Sequence, residues 1–207
     1  MTALSFLDYA SVLVFALTGA LVASRAQLDL IGFAFIACLT AVGGGTIRDV
    51  LLNRDPVFWI GNPNYILIAC AAAIVIFFTA PMVESRYRWL LWLDSFALAI
   101  AVPAGVILAL DMQQPAMIVV LMGMLTGCMG GLLRDVVCNE VPLVLKQGEL
   151  YVTATFAGSL TGFWVHAFTN NMTYVMISCA VVTWGLRAGS MLMGWQLPTY
   201  RSRPPRV

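Results

Sequence analysis

Seven long apolar stretches follow one another along the chain, separated by short joints of charged, Pro, Gly and Asn residues. They run over about Leu4–Ser24, Ile31–Leu52, Tyr65–Pro81, Trp89–Leu110, Met117–Val137, Leu150–Phe168 and Tyr174–Met193. Each is close to the roughly 20 residues that a helix needs to cross the hydrocarbon core of a bilayer. The joints, such as Arg25–Leu30, Asn53–Asn64 and Asp111–Gln114, are too short to hold domains of their own. The pattern predicts an all-α integral membrane protein with seven transmembrane helices. The closing segment Gly194–Val207 carries Pro198, Pro204, Pro205, Arg201, Arg203 and Arg206 and reads as an extended tail.

Composition agrees. Of 207 residues, 61% are hydrophobic and 10% charged, against about 25% charged in ordinary soluble domains. Mean hydropathy is +0.90. A net charge of +1 leaves no basic stripe for nucleic acid. Met1–Tyr9 lacks Lys and Arg and contains Asp8, so it does not read as a cleaved secretion signal; the first span is expected to be retained. The joints on one side collect Arg25, Arg86, Arg88 and Lys146 together with the arginines of the tail, whereas the other side holds Arg54. The positive-inside rule then places the amino terminus outside and the carboxyl terminus in the cytoplasm. Trp59, Tyr87, Trp89, Trp92, Tyr151, Trp164 and Trp195 fall near span ends, where aromatic belts form, while Trp184 falls mid-span and reads as helix packing.

Cys38, Cys70, Cys128, Cys138 and Cys179 form no C-x-x-C pair, and most sit in apolar runs as packing residues. His166 has no ligand partner at metal spacing and reads as an interfacial histidine. Neither a metal nor a cofactor is implied.

The chain repeats itself. TAVGGGTIRDVLLNRDP, Thr40–Pro56, aligns without a gap with TGCMGGLLRDVVCNEVP, Thr126–Pro142, at an offset of 86 residues. Thr40, Gly44, Gly45, Arg48, Asp49, Val50, Asn53 and Pro56 have identical partners, and the same offset pairs Asp8 with Asp94, Gly19 with Gly105 and Tyr65 with Tyr151. Residues 4–81 and 89–168 are thus two copies of a three-helix unit; residues 174–193 form a single extra helix, followed by the tail 194–207. Three spans per copy make the second copy enter from the opposite side, giving an inverted 3+3 repeat with functional sites expected near the midplane.

Consecutive glycines cost a helix about 1 kcal/mol each. Gly43, Gly44 and Gly45, and Gly130 and Gly131, are therefore expected to bend or locally unwind their spans, with Thr40 and Thr126–Gly127 near mid-membrane. Carbonyls freed at such a break could replace water around a cation; alternatively, the small residues let helices pack closely. Adjacent side chains do not face each other on a helix, so Arg48 and Asp49, and Arg134 and Asp135, each call for another partner. Counting equal distances from the hairpin turns pairs Asp8 with Arg48 and Asp94 with Arg134. The other possibility is that these arginines snorkel to the headgroups.

At these residues the chain resembles a bacterial inner-membrane family of the UPF0126 type, whose repeated three-helix unit is catalogued as a glycine transporter domain. That family is related to the trimeric intracellular cation (TRIC) channels. The family pattern T-A-x-G-G-G-x-x-R-D followed by P-V-F-W is matched by Thr40–Asp49 and Pro56–Trp59. The second pattern, T-G-x-x-G-G-x-x-R-D and then I-P or V-P, is matched by Thr126–Asp135 and Val141–Pro142. Asp8, Arg25, Asp29, Leu197 and Pro198 also fit, whereas Met129 departs, standing where the first copy has Gly43. The resemblance implies a homotrimer in the lipid bilayer with a pore for monovalent, potassium-type cations in each protomer, framed by spans two and five. Gly43, Gly44, Gly45, Gly130 and Gly131 would shape the path, and Arg48, Asp49, Arg134 and Asp135 would line, gate or support it. The domain name implies instead a secondary transporter of glycine or another small amino acid. No H-E-x-x-H, G-x-S-x-G or nucleotide-binding loop points to an enzyme.

Overall fold

The computed structural model describes residues 3–82, 86–146 and 149–198. Arg201, Arg203, Pro204, Pro205 and Arg206 of the expected tail lie outside the described residues. The described chain is helical, with no strand among the described residues. In order come α1 (Ala3–Arg25), α2 (Leu30–Leu51), the short α3 (Phe58–Gly61), α4 (Asn64–Thr79), α5 (Arg86–Asp111), α6 (Ala116–Val137), α7 (Tyr151–Thr169) and α8 (Met172–Met193). Single 3-10 turns, Ala80–Met82 and Leu143–Leu145, extend α4 and precede α7.

Six of the long helices are apolar and long enough to cross a membrane. The helix at the sixth expected span, α7, is not among them, because Thr153, Thr155, Ser159, Thr161, His166 and Thr169 dilute its apolar run. Most of these hydroxyls are absorbed locally: Ser159, Thr161 and Thr169 donate to the carbonyl four residues back at 2.7–2.8 Å. The short α3 lies in the joint after α2, where the apolar pattern shows no helix.

Chain ends and turns repeat with the sequence. Gln27 and Asn53 take the left-handed conformation after α1 and α2, and their mates Gln113 and Asn139 do so after α5 and α6. The two α2-like helices begin differently: Asp29 caps α2 by accepting from the Gly32 amide at 2.7 Å, while Pro115 precedes α6 without a side-chain cap.

The packing follows a two-fold pattern. Helix α1 lies against its own mate α5, and α2 against its mate α6. In the first unit α4 packs on α1 and α2, and in the second α7 packs on α5 and α6. That is the inverted repeat. Helix α8 has no counterpart and leans on α5 and α7. Small residues such as Ala16, Ala20, Ala97, Ala101 and Ala104 let α1 and α5 approach in the middle of the bundle. The outer wall is apolar: Ile31 is 75% exposed, Met117 85% and Phe168 82%, which suits contact with lipid tails rather than water. Trp184 stacks on Phe96 with ring centroids 5.6 Å apart, a contact between α8 and α5. The Cys38 and Cys70 sulfurs lie 3.7 Å apart between α2 and α4.

Candidate functional site at the helix crossing

The repeated glycines bring α2 and α6 together rather than opening them. Both helices run unbroken through the motif, so the expected unwinding does not occur. The reason is visible in what surrounds each glycine. A Cβ on Gly44 would fall onto the carbonyl oxygen of Thr126, and one on Gly130 onto the carbonyl oxygen of Thr40. The two contacts are symmetry mates. The backbones touch there, and the helical hydrogen bonds remain intact because the glycines supply space rather than flexibility. The remaining motif glycines face other neighbours. Gly43 looks toward Leu133, Gly45 seats the Phe58 ring, Gly131 seats the Tyr151 hydroxyl, and Gly127 packs on Val102 and Leu98 of α5.

Thr40 and Thr126 are buried, and each hydroxyl donates back along its own helix at 2.6 Å, to Ile36 O and Met122 O. Those hydroxyls are also what a side chain on Gly19 or Gly105 would meet, at 2.7 and 2.5 Å. The threonines thus tie the crossing to α1 and α5.

One turn further along each helix stands a buried charge cluster. Arg48 Nη1 lies 3.2 Å from Asp8 Oδ1, and Arg134 Nη1 lies 3.0 Å from Asp94 Oδ1. Each arginine also reaches its immediate neighbour: Nε of Arg48 and of Arg134 donates to Oδ1 of Asp49 and of Asp135 at 2.8 Å. The expectation that adjacent side chains do not meet is corrected here, because a long guanidinium can fold back alongside a short carboxylate. Both arginine side chains have no exposure, so snorkelling to the headgroups does not occur. The second aspartate of each cluster anchors the following loop. Asp49 Oδ2 accepts from the Phe58 amide and Asp135 Oδ2 from the Leu143 amide, both at 2.9 Å. Each arginine keeps its Nη2 without a hydrogen-bond partner.

The two clusters are not equal. Arg54 adds a second cation at 3.5 Å from Asp49, so the first cluster balances two carboxylates with two guanidiniums. At the offset of 86, the place of Arg54 is taken by Glu140, which pairs with Arg25 at 3.3 Å. The second cluster therefore sets two carboxylates against one guanidinium, and Asp94 Oδ2 has no partner. On the Arg48 side a cleft among Asp8, Ser11, Gly44, Arg48, Phe58 and Thr126 leaves about 10 Å³ for a water centre, room for one molecule at most.

Several residues escaped the sequence reading. Arg187 of α8 is fully buried, donates to Glu149 Oε2 at 3.0 Å and lies 4.9 Å over the Tyr151 ring. Its signal was present, since an arginine inside an apolar span marks a functional position by default. Tyr151 is 2% exposed and so is not a belt residue. Arg25 and Lys146, separated by most of the chain, both sit over the Tyr87 ring, at 5.0 and 4.7 Å, and so share one end of the bundle.

Among the described residues no group of His, Cys, Asp or Glu is placed to hold a metal ion. The relatives are membrane and channel proteins. A family described as Glycine transporter matches twice, at residues 5–81 and 91–167. A UPF0126 membrane protein of Vibrio cholerae serotype O1 is 36% identical over 204 residues, covering 95% of this chain and 82% of that protein. The UPF0126 inner membrane protein YadS of Escherichia coli (strain K12) is 34% identical over 201 residues, 94% of this chain and 95% of its own. Among solved structures, a TRIC trimeric intracellular cation channel orthologue from Rhodobacter sphaeroides superposes with a TM-score of 0.90 at 37% identity, over 94% of this chain and 100% of that one. With two glycine-bearing units matched in sequence and the whole bundle matched in structure, the chain belongs to the glycine transporter (UPF0126) family of membrane proteins and has the TRIC channel fold.

Proposed function

We propose that the protein is a homotrimeric channel for monovalent, potassium-type cations, with a path through each protomer framed by α2 and α6. The observation that carries this reading is the symmetric crossing at Gly44 and Gly130, flanked at both ends by buried clusters with carboxylates in equal or greater number than guanidiniums. Clefts lined by negative groups favour cations, and the resemblance to a TRIC orthologue supports the same cargo and the trimer. With room for about one water at the Arg48 cleft, conduction in this reading requires α2 and α6 to separate. In the same proposal α7 is the sixth of the seven spans, with Thr155 and Ser159 buried against neighbouring helices. Units 4–81 and 89–168, the helix 174–193 and the tail 194–207 are the working divisions. The protein resides in the bacterial inner membrane with its amino terminus outside and its carboxyl terminus in the cytoplasm.

Purified protein in a planar bilayer is expected to give single-channel steps and a reversal potential that follows the potassium gradient. Silent bilayers across voltage and pH, from protein that elutes as a trimer, would overturn the reading. A second reading rests on the unpartnered Nη2 groups of Arg48 and Arg134, buried donors suited to the carboxylate of glycine or another small amino acid. Saturable glycine counterflow without channel-sized currents would favour it.

A further inference from the structure

The non-repeated helix α8 meets the second unit at the point where the two units differ most. In the first unit the aromatic seated on Gly45, the counterpart of Gly131, is Phe58, and Tyr65 stands aside, stacked on Tyr9 with centroids 4.1 Å apart. In the second unit the seat over Gly131 is taken by Tyr151, the mate of Tyr65. A methyl built on Gly131 would lie 3.1 Å from the Tyr151 hydroxyl and 3.4 Å from Asp94 Oδ1. Tyr151 therefore fills the second-unit counterpart of the Arg48 cleft. It is packed there with Leu98, Cys128 and Leu143.

Helix α8 helps hold Tyr151 there, beside the hydrogen bond of its hydroxyl to Asp94. Arg187 pairs with Glu149, two residues before Tyr151, and its guanidinium lies over the tyrosine ring. Ser190, one turn on, accepts from the Leu150 amide at 3.0 Å and donates to the Trp195 carbonyl at 3.0 Å. Glu149, Leu150 and Tyr151, which lead into α7, are thus tied to one face of α8. The first unit has Pro63 and Asn64 where the second has Glu149 and Leu150, and no helix plays the part of α8. A fully buried guanidinium with Nε and Nη2 unpartnered is costly, and one ion pair to a partly exposed glutamate does not offset it fully.

We infer that Arg187 is a positioning residue for the path, clamping Tyr151 as a plug over Gly131 at the Arg134 end, so that α8 sets how readily that half takes up water. The inference rests on the channel reading for its purpose, but its test needs no ion flux. Thiols react as thiolates, which burial in dry apolar surroundings disfavours. Cys128 lies under Tyr151, with its sulfur 3.5 Å from Thr155 Oγ1, while Cys179 is buried in α8 against Gly162 and reports general loosening.

The full-length protein in lipid nanodiscs is alkylated with a small methanethiosulfonate reagent, and each cysteine is followed by peptide mass. In Arg187→Gln, Glu149→Gln and Tyr151→Ala the rate at Cys128 is expected to rise about tenfold or more, the scale of losing one ion pair, with Cys179 unchanged. Exchanging the charges, Arg187→Glu with Glu149→Arg, is expected to slow Cys128 again. If Arg187→Gln does not fold, Glu149→Gln carries the test. An unchanged Cys128, or Cys128 and Cys179 rising together, overturns the clamp. Wild-type protein silent in bilayers overturns the channel reading and leaves the labelling result standing on its own.

Discussion

Replacing Arg134 by methionine is expected to lower the stability of the protein by about 3–5 kcal/mol, the usual cost of stranding a buried charge. Arg134 is the only cation within salt-bridge distance of Asp94 and Asp135 among the described residues, and both aspartates have at most 2% exposure. Removing the guanidinium leaves two carboxylates in a low-dielectric interior, of which Asp135 retains the Leu143 amide and Asp94 retains only the neutral Tyr151 hydroxyl, with its Oδ2 unpartnered. The same change at Arg48 should cost less. There Arg54 remains 3.5 Å from Asp49, and Asp8 keeps partial contact with the cleft. Adding Asp94→Leu to Arg134→Met removes one of the two stranded charges and should recover a large part of the loss, a coupling of the kind expected for contacting groups. Thermal midpoints of the detergent-solubilised variants measure all three. Arg134→Met melting no earlier than Arg48→Met, or no recovery in the double variant, would show that the clusters do not bear on stability in this way.

The second large effect belongs to the crossing. Gly44→Ala and Gly130→Ala each drive a methyl into a main-chain carbonyl, Thr126 O and Thr40 O. A backbone cannot swing aside as a side chain can, so each should cost about 2–3 kcal/mol, the upper part of the overpacking range. Gly43→Ala meets the flexible end of Leu133 at 2.8 Å, and Gly185→Ala meets nothing within 4 Å. The former should be mild. The latter should stabilise, by up to about 1 kcal/mol, through helix propensity alone. Because Gly44 and Gly130 serve one contact between two helices, the double variant should cost less than the two singles together: the first methyl has already pushed the helices apart. Melting curves on the four single variants and the double decide it. Equal losses at Gly44, Gly43 and Gly185 would mean that the crossing carries no special tightness.

Much of this was legible in the amino-acid order because bilayer proteins write their architecture in long apolar runs and this one writes it twice. The offset of 86 residues carried over from letters to geometry: Asp8–Arg48 and Asp94–Arg134 adopt the same pairing, and Asn53 and Asn139 the same left-handed turn. What the order of residues did not reveal depends on a partner's position. Whether Gly44 loosens its helix or admits another turns on where the Thr126 carbonyl lies, and that is set by the two-fold packing. The short α3 forms where Asp49 accepts its first amide, a contact invisible to periodicity. Arg187 had no mate in the other unit to draw attention to it. Comparing the copies favours what is shared, and α8 is what is not shared.

The exchange of Arg54 for Glu140 gives the frame a direction. Two identical halves related by a two-fold axis would present the same face to ions arriving from either compartment. Here one end of the crossing carries a balanced cluster and the other an excess carboxylate, with a further acid held by Arg25. In a path of the proposed kind, the wells met on entering from the two compartments differ in depth, which is the physical requirement for rectification. The duplication supplied two like ends; one position in each has made them electrostatically unlike.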